Sequence, residues 1–197
     1  MPGGQVSDDR PVVGLVASAV GGVETIRSGF VLPALDRGWR VAVTLTPTAG
    51  QWLDESGEIA ELEAVTGLPV RVAPRQPGEQ SPHPPVICYV VAPASANTVA
   101  KLALGIADNQ ALTTVCEAIG NPEVPVAVFP RVNAAHARHP AWAGHLSALR
   151  AGDVHLIYGP AVWTLHEPRQ APADRALPWE SIIVAVGRLV DEPDRVH

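Results

Sequence analysis

Several stretches of this 197-residue chain are apolar almost without interruption over the length of a strand: residues 12–16, 40–46, 86–92 and 124–129. A strand with one wet face alternates apolar and polar residues, whereas a strand that is apolar throughout has both faces covered. Helical patterns lie between these runs. One expected helix covers 23–37, with Ile26, Phe30 and Leu35 on one side and Gly38 as its stop. Others fall near 50–53 and at 58–66, 97–104, 111–119, 141–151 and 179–190. Fully covered strands that alternate with helices restrict the chain to an α/β three-layer sandwich, with right-handed crossovers. With two weaker runs, 70–73 and 154–158, the expected sheet is mostly parallel and six-stranded.

The rest of the chain punctuates this pattern. Residues 1–10 read as a flexible N-terminal arm, and 11–197 as a single domain without repeat or linker. The Pro-rich stretch 74–85 reads as an exposed loop, and 159–178 as a long irregular segment. The 14 Lys and Arg residues form no basic run and the formal net charge is −6, so no nucleic-acid partner is expected. The two cysteines, Cys88 and Cys116, make no disulfide framework. No signal peptide is visible and no apolar run reaches spanning length. These features together predict a cytoplasmic protein without membrane contact.

In open parallel sheets, ligands bind beyond the carboxyl ends of the strands. The first strand is followed by Ala17-Ser18-Ala19-Val20-Gly21-Gly22, whose small residues let backbone amides approach a ligand. The second is followed by Thr46-Pro47-Thr48, whose hydroxyls suit either a phosphate or a helix cap. After 86–92 come Pro93-Ala94-Ser95-Ala96-Asn97-Thr98, a run of small and polar residues in which a cap needs only one. His136 and His139 lack a third ligand nearby in sequence, so no metal site is expected. Trp142 and Trp179 read as core or interface residues, and Glu58, Glu61 and Glu63 as a solvated helix face.

The run Pro93-Ala94-Ser95-Ala96-Asn97-Thr98, then Lys101, then Gly105-Ile106-Ala107-Asp108-Asn109, resembles the signature of the homo-oligomeric flavin-containing cysteine decarboxylases. That family includes phosphopantothenoylcysteine decarboxylase and the peptidyl-cysteine decarboxylases of lantibiotic synthesis. The likeness runs over residues 12–160. It implies a Rossmann-like sheet, FMN as cofactor, and trimers or dodecamers with the flavin between neighbouring subunits. By position, Ser18 and Ala19 match the first FMN loop, and Thr46 and Thr48 the second, near the phosphate. Ser95, Ala96, Asn97 and Thr98 match the segment that holds the flavin, with Thr114 as a further hydroxyl.

The family's substrate motif P-x-M-N-x-x-M-W corresponds to Pro130-Arg131-Val132-Asn133-Ala134-Ala135-His136-Ala137. Pro130 and Asn133 match, while Val132, His136 and Ala137 depart from it. The resemblance implies that Asn133 binds a substrate carboxylate and that His83 is the catalytic base. Arg131 adds a positive charge where an anionic group could dock. No cysteine lies in 159–178, where related decarboxylases of the phosphopantothenoylcysteine type keep a reactive one. The implied reaction oxidises a cysteine-containing small molecule or peptide at its thiol-bearing carbon, then releases carbon dioxide to leave an enethiol. Three alternatives stay open: flavin chemistry of another class such as prenyl transfer, a non-enzymatic FMN-binding or interaction protein, and an unrelated Rossmann-like nucleotide binder.

Overall fold

A computed structural model describes residues 8–191. Five strands form one parallel sheet: β1 (Val12–Ala17), β2 (Arg40–Leu45), β3 (Cys88–Ala94), β4 (Val126–Pro130) and β5 (His155–Leu156), in the order β2-β1-β3-β4-β5. All residues of β1 and β4 are buried, as their unbroken apolar sequences require. The expected count of six strands is corrected. Of residues 70–73 only Arg71 pairs, bridging to Thr44 at the outer side of β2 through Arg71 N–H to Val43 O (2.9 Å) and Leu45 N–H to Arg71 O (2.8 Å). Pro69 and Pro74 flank this stretch, so a longer ladder lacks donors at both ends.

Odd and even strand positions feed two cores, one on each face of the sheet. Val13, Leu15, Val41, Val43, Val90 and Phe129 face one helical layer. That layer contains α1 (Leu32–Asp36), α2 (Pro47–Glu55), α3 (Glu58–Thr66) and α8 (Trp179–Asp191). Val16, Val91, Val126 and Val128 face the other layer, which contains α4 (Ala96–Ala103), α5 (Gln110–Ile119) and α7 (Trp142–Ala151). Each large side chain buried there contributes about 1.5–3 kcal/mol. The helix expected at 23–37 divides into a 3-10 turn (Val23–Thr25), a π-helical stretch (Arg27–Val31) and α1. Gly38 ends it at φ 79°. A short helix absent from the sequence reading, α6 (Ala134–Ala137), follows β4.

Trp142 and Trp179 pack as core residues. The Trp142 indole donates to Tyr158 Oη (3.3 Å) and the Trp179 indole to Thr25 Oγ1 (2.9 Å). Glu58 corrects the solvated-face expectation, since Arg27 Nε holds it at 2.7 Å. Residues 1–7 of the expected arm lie outside the described residues. Asp8 bonds Arg10 Nε at 2.8 Å and stands 3.4 Å from Arg40. No helix among the described residues is long and apolar enough to cross a membrane.

The feature that positions the site is the stitching of strand ends. Ser18 N–H donates to Pro93 O (2.9 Å), Thr46 N–H to Ala17 O (3.0 Å), and Arg131 N–H to Ala94 O (2.8 Å). The loops leaving β1, β2, β3 and β4 therefore start side by side. The chain passes from β1 to β2 on one side and then returns to place β3 on the other, so the sheet's switch point lies between β1 and β3.

Candidate functional site

A cleft of ≈ 520 Å³ opens at that switch point. Its volume falls within the roughly 300–1,000 Å³ of small-molecule and cofactor sites. Ser18 and Ala19 line it from the β1 loop, Thr46 and Thr48 from the start of α2, and Ser95, Asn97 and Thr98 from the start of α4. Two residues expected with them stand elsewhere. Ala96, the first residue of α4, packs against the core on that face of the sheet. Thr114 lies within α5 and accepts a hydrogen bond from Gln110 Nε2 (2.8 Å).

The polar groups of the cleft divide into those that hold the fold and those left for a ligand. Ser95 caps α4, its Oγ accepting from Thr98 N–H (3.1 Å). Thr98 Oγ1 lies 2.8 Å from Ser18 Oγ and accepts from Ser95 Oγ at 3.0 Å, so three hydroxyls join the β1 and β3 loops. Ser18 and Thr98 are 2% and 3% exposed, which makes this a buried network where a missing partner is costly. Thr46 occupies the N-cap position of α2 but makes no side-chain cap bond, so its hydroxyl is not committed to the helix. Asn97, in the first turn of α4, is exposed to the cleft.

Trp52 was not anticipated. It lines the cleft while 48% exposed. The signal was present: Trp52 follows Thr48 by four residues on one helix, which puts both on the same face. Lys101 and Asp108 also line the cleft and pair with each other at 2.5 Å. That hydrogen bond pulls the Asp108 carboxyl below its ordinary range. Asn109 caps α5 by accepting from Leu112 N–H (3.1 Å).

The two expected catalytic residues do not line this cleft. His83 is half-buried in the Pro-rich loop, and its Nε2 bonds the carbonyl of Pro69 at 2.8 Å. A carbonyl only accepts, so Nε2 carries the proton and Nδ1 keeps its lone pair. Burial holds the imidazole below its ordinary pKa, the Pro69 carbonyl opposes this, and the Arg71 charge adds to it. Asn133 caps α6, its Oδ1 accepting from His136 N–H (2.9 Å), which leaves the amide N–H groups for a ligand. It lines a separate pocket of ≈ 190 Å³ with Arg131, His166 and Arg175. His136 and His139 are exposed.

A parallel, topologically switched sheet with a hydroxyl-lined cleft at its crossing point defines a Rossmann-like α/β protein of the nucleotide-cofactor-binding class. Within that class the chain belongs to the Flavoprotein family, which matches residues 5–190. The crystal structure of the FMN-dependent cysteine decarboxylase TvaF from thioviridamide biosynthesis is similar. It shows 28% identity and a TM-score of 0.60, covering 74% of this chain and 88% of that one. A PPC decarboxylase complexed with pantothenoylaminoethenethiol shows 25% identity and a TM-score of 0.60, covering 93% of this chain and 99% of that one. A cysteine/cysteine sulfinic acid decarboxylase from an unknown prokaryotic organism is 39% identical over 69 residues, 35% of this chain. That match spans 18% of the relative's own length.

Proposed function

We propose that the chain binds FMN in the strand-end cleft and catalyses oxidative decarboxylation of a cysteine-containing substrate. The observation that carries this reading is the cleft itself. Three strand ends bring Ser18, Thr46, Thr48, Asn97 and Thr98 around one space beside an exposed tryptophan. This donor set fits a flavin mononucleotide. The uncommitted Thr46 hydroxyl and Thr48, at the N-terminus of α2, suit a phosphate. Asn97 suits the polar edge of a flavin ring, and Ala19, Trp52 and Leu112 its apolar faces. The similarity to an FMN-dependent cysteine decarboxylase supports the same cofactor and reaction.

When bound, FMN supplies a two-electron oxidation of the substrate's thiol-bearing carbon. The chain's own residues bind, orient and move protons. His83 accepts the thiol proton at Nδ1, since its depressed pKa keeps that nitrogen unprotonated near neutral pH. Asn133 directs its amide N–H groups at the carboxylate that departs as carbon dioxide. His83 and Asn133 line different places in one chain, so we place the complete site between subunits of a homo-oligomer. Leu104 and Ile106, 65% and 42% exposed beside the cleft residues Asp108 and Asn109, suit contact with a second copy. The unpaired thiols of Cys88 and Cys116 suit the reducing cytoplasm.

The test begins with the purified protein, which is expected to be yellow with one FMN per chain. Asn97→Asp is expected to lower FMN retention through gel filtration by about tenfold, the loss of one good hydrogen bond set against added negative charge. Carbon dioxide release is then measured with peptides ending in cysteine. Colourless protein that takes up no FMN when supplied sinks the proposal. Flavin without turnover on any such substrate favours a binding protein.

A further inference from the structure

The pocket beside Asn133 is ringed by cations, Arg131, Arg169 and Arg175, that form no ion pair among the described residues. Its carboxylate, Glu167, is held by Arg138 through hydrogen bonds of 2.6 and 2.9 Å. The Arg175 guanidinium carbon lies 3.2 Å from the ring centre of Trp163, and that of Arg131 lies 4.9 Å from it. Trp163 is 3% exposed. Its indole Nε1 and the Nε of Arg131 are both buried without a hydrogen-bond partner.

Two like charges on one aromatic ring are an unbalanced arrangement. A cation–π contact recovers only part of what a guanidinium loses on leaving water, and the neighbouring cation adds repulsion. Burial pushes both guanidinium pKa values down, the Arg131 charge does so further for Arg175, and the Glu24 charge opposes it for Arg131. An anion at the pocket corrects the imbalance and gives the guanidinium N–H groups that line it an acceptor. The pocket also adjoins the flavin cleft. Arg131 Nη2 comes within 3.8 Å of where a Cβ on Gly21 would stand, in the loop that begins with Ser18 and Ala19.

We infer that the Arg131–Arg175 pocket receives an oxyanion group of more than one negative charge, carried by the substrate beside the carboxylate assigned to Asn133. Its ≈ 190 Å³ is the volume of about six waters at about 30 Å³ each. That is room for a phosphate, and not for a flavin. A phosphate ester on a small thiol and a phosphorylated residue next to a peptide's terminal cysteine share this chemistry. The anion site stands on the pocket alone, whereas its assignment to the substrate rests on the decarboxylase reading.

The protein as purified is titrated with inorganic phosphate and with acetate at constant ionic strength, reading tryptophan fluorescence, with flavin content measured in parallel. Trp163→Phe identifies the component from the ring under the two arginines. The expected result is a saturable change with phosphate, at least about tenfold weaker with acetate. Arg131→Gln and Arg175→Gln are each expected to weaken phosphate about tenfold or more. Arg150→Gln, on the exposed side of α7, is expected to leave it unchanged. Phosphate held equally by Arg131→Gln and Arg175→Gln, or no preference over acetate, overturns the site. Colourless protein that still binds phosphate in this pattern sinks the flavin reading and leaves the pocket standing. Turnover of a peptide ending in phosphoserine-Cys is then compared with one ending in Ser-Cys, and a phosphorylated cysteine-containing small molecule with its unphosphorylated form. A kcat/KM advantage of about tenfold that Arg175→Gln abolishes identifies the source. Equal kcat/KM within both pairs overturns the assignment to substrate.

Discussion

Thr98 carries more of the site than any other small residue. Its hydroxyl sits between Ser18 Oγ and Ser95 Oγ at 2.8 and 3.0 Å, and it is 3% exposed. Thr98→Val keeps the shape and removes both contacts, leaving Ser18, itself 2% exposed, short of a partner. A buried polar group left unsatisfied costs about 1–3 kcal/mol, so denaturant unfolding is expected to show a loss of that size. Thr98→Ser keeps the hydroxyl network and is expected to lose about 1 kcal/mol through the deleted methyl. Equal losses for the two variants would mean that packing, and not hydrogen bonding, ties the β1 and β3 loops together.

The packing of α8 against the first helical segment sets a constraint at Gly29. A Cβ there would overlap the Trp179 ring, whose indole is anchored to Thr25 Oγ1 at 2.9 Å. Gly29→Ala is expected to destabilise by about 1–3 kcal/mol, the usual cost of overpacking, and to lower Tm in a thermal melt. The break into 3-10, π and α turns around this glycine was not legible in the sequence, because local periodicity in 23–37 does not report a ring arriving from residue 179. The strands were legible for the opposite reason. Burial on both faces writes itself into every residue of β1 and β4, whereas residues 70–73, with one pairing residue at an edge, leave only a weak trace. Local chemistry also exposed the strand-end loops, since runs such as 93–98 exceed what a helix cap needs. Trp163 stands out in the sequence as a residue that could cover the flavin or the substrate, but its packing beneath Arg131 and Arg175 was not legible, because an irregular segment has no periodicity to say what it covers.

At the scale of the whole molecule, alkaline pH and subunit assembly provide separate tests. Cys88 is fully buried in β3, and burial pushes its thiol from 9.0 up to about 12. The unfolded chain releases that proton near pH 9 while the folded chain keeps it, so stability is complete below about pH 9 and falls as pH rises toward about 12. Three pKa units correspond to at most about 4 kcal/mol. Tyr89, also raised by burial, adds to the slope. Cys88→Ala is expected to flatten the alkaline decline without abolishing it, as read from denaturant midpoints across that range. Assembly is tested through His83 and Asn133. His83 bonds to Pro69 outside the strand-end cleft, while Asn133 sits with Arg131 at the end of β4. If one active site takes its histidine from one subunit and its asparagine from the next, His83→Ala and Asn133→Ala chains complement each other. After co-refolding in equal amounts, a site with histidine from one variant and asparagine from the other is intact, and random assembly makes about one quarter of sites so. The expected outcome is two inactive homo-oligomers and a mixture that releases carbon dioxide at about one quarter of the unmodified rate. A mixture as inactive as its components, with mixed oligomers verified by differential tagging, places both residues in the same subunit's site and removes the argument for a shared one.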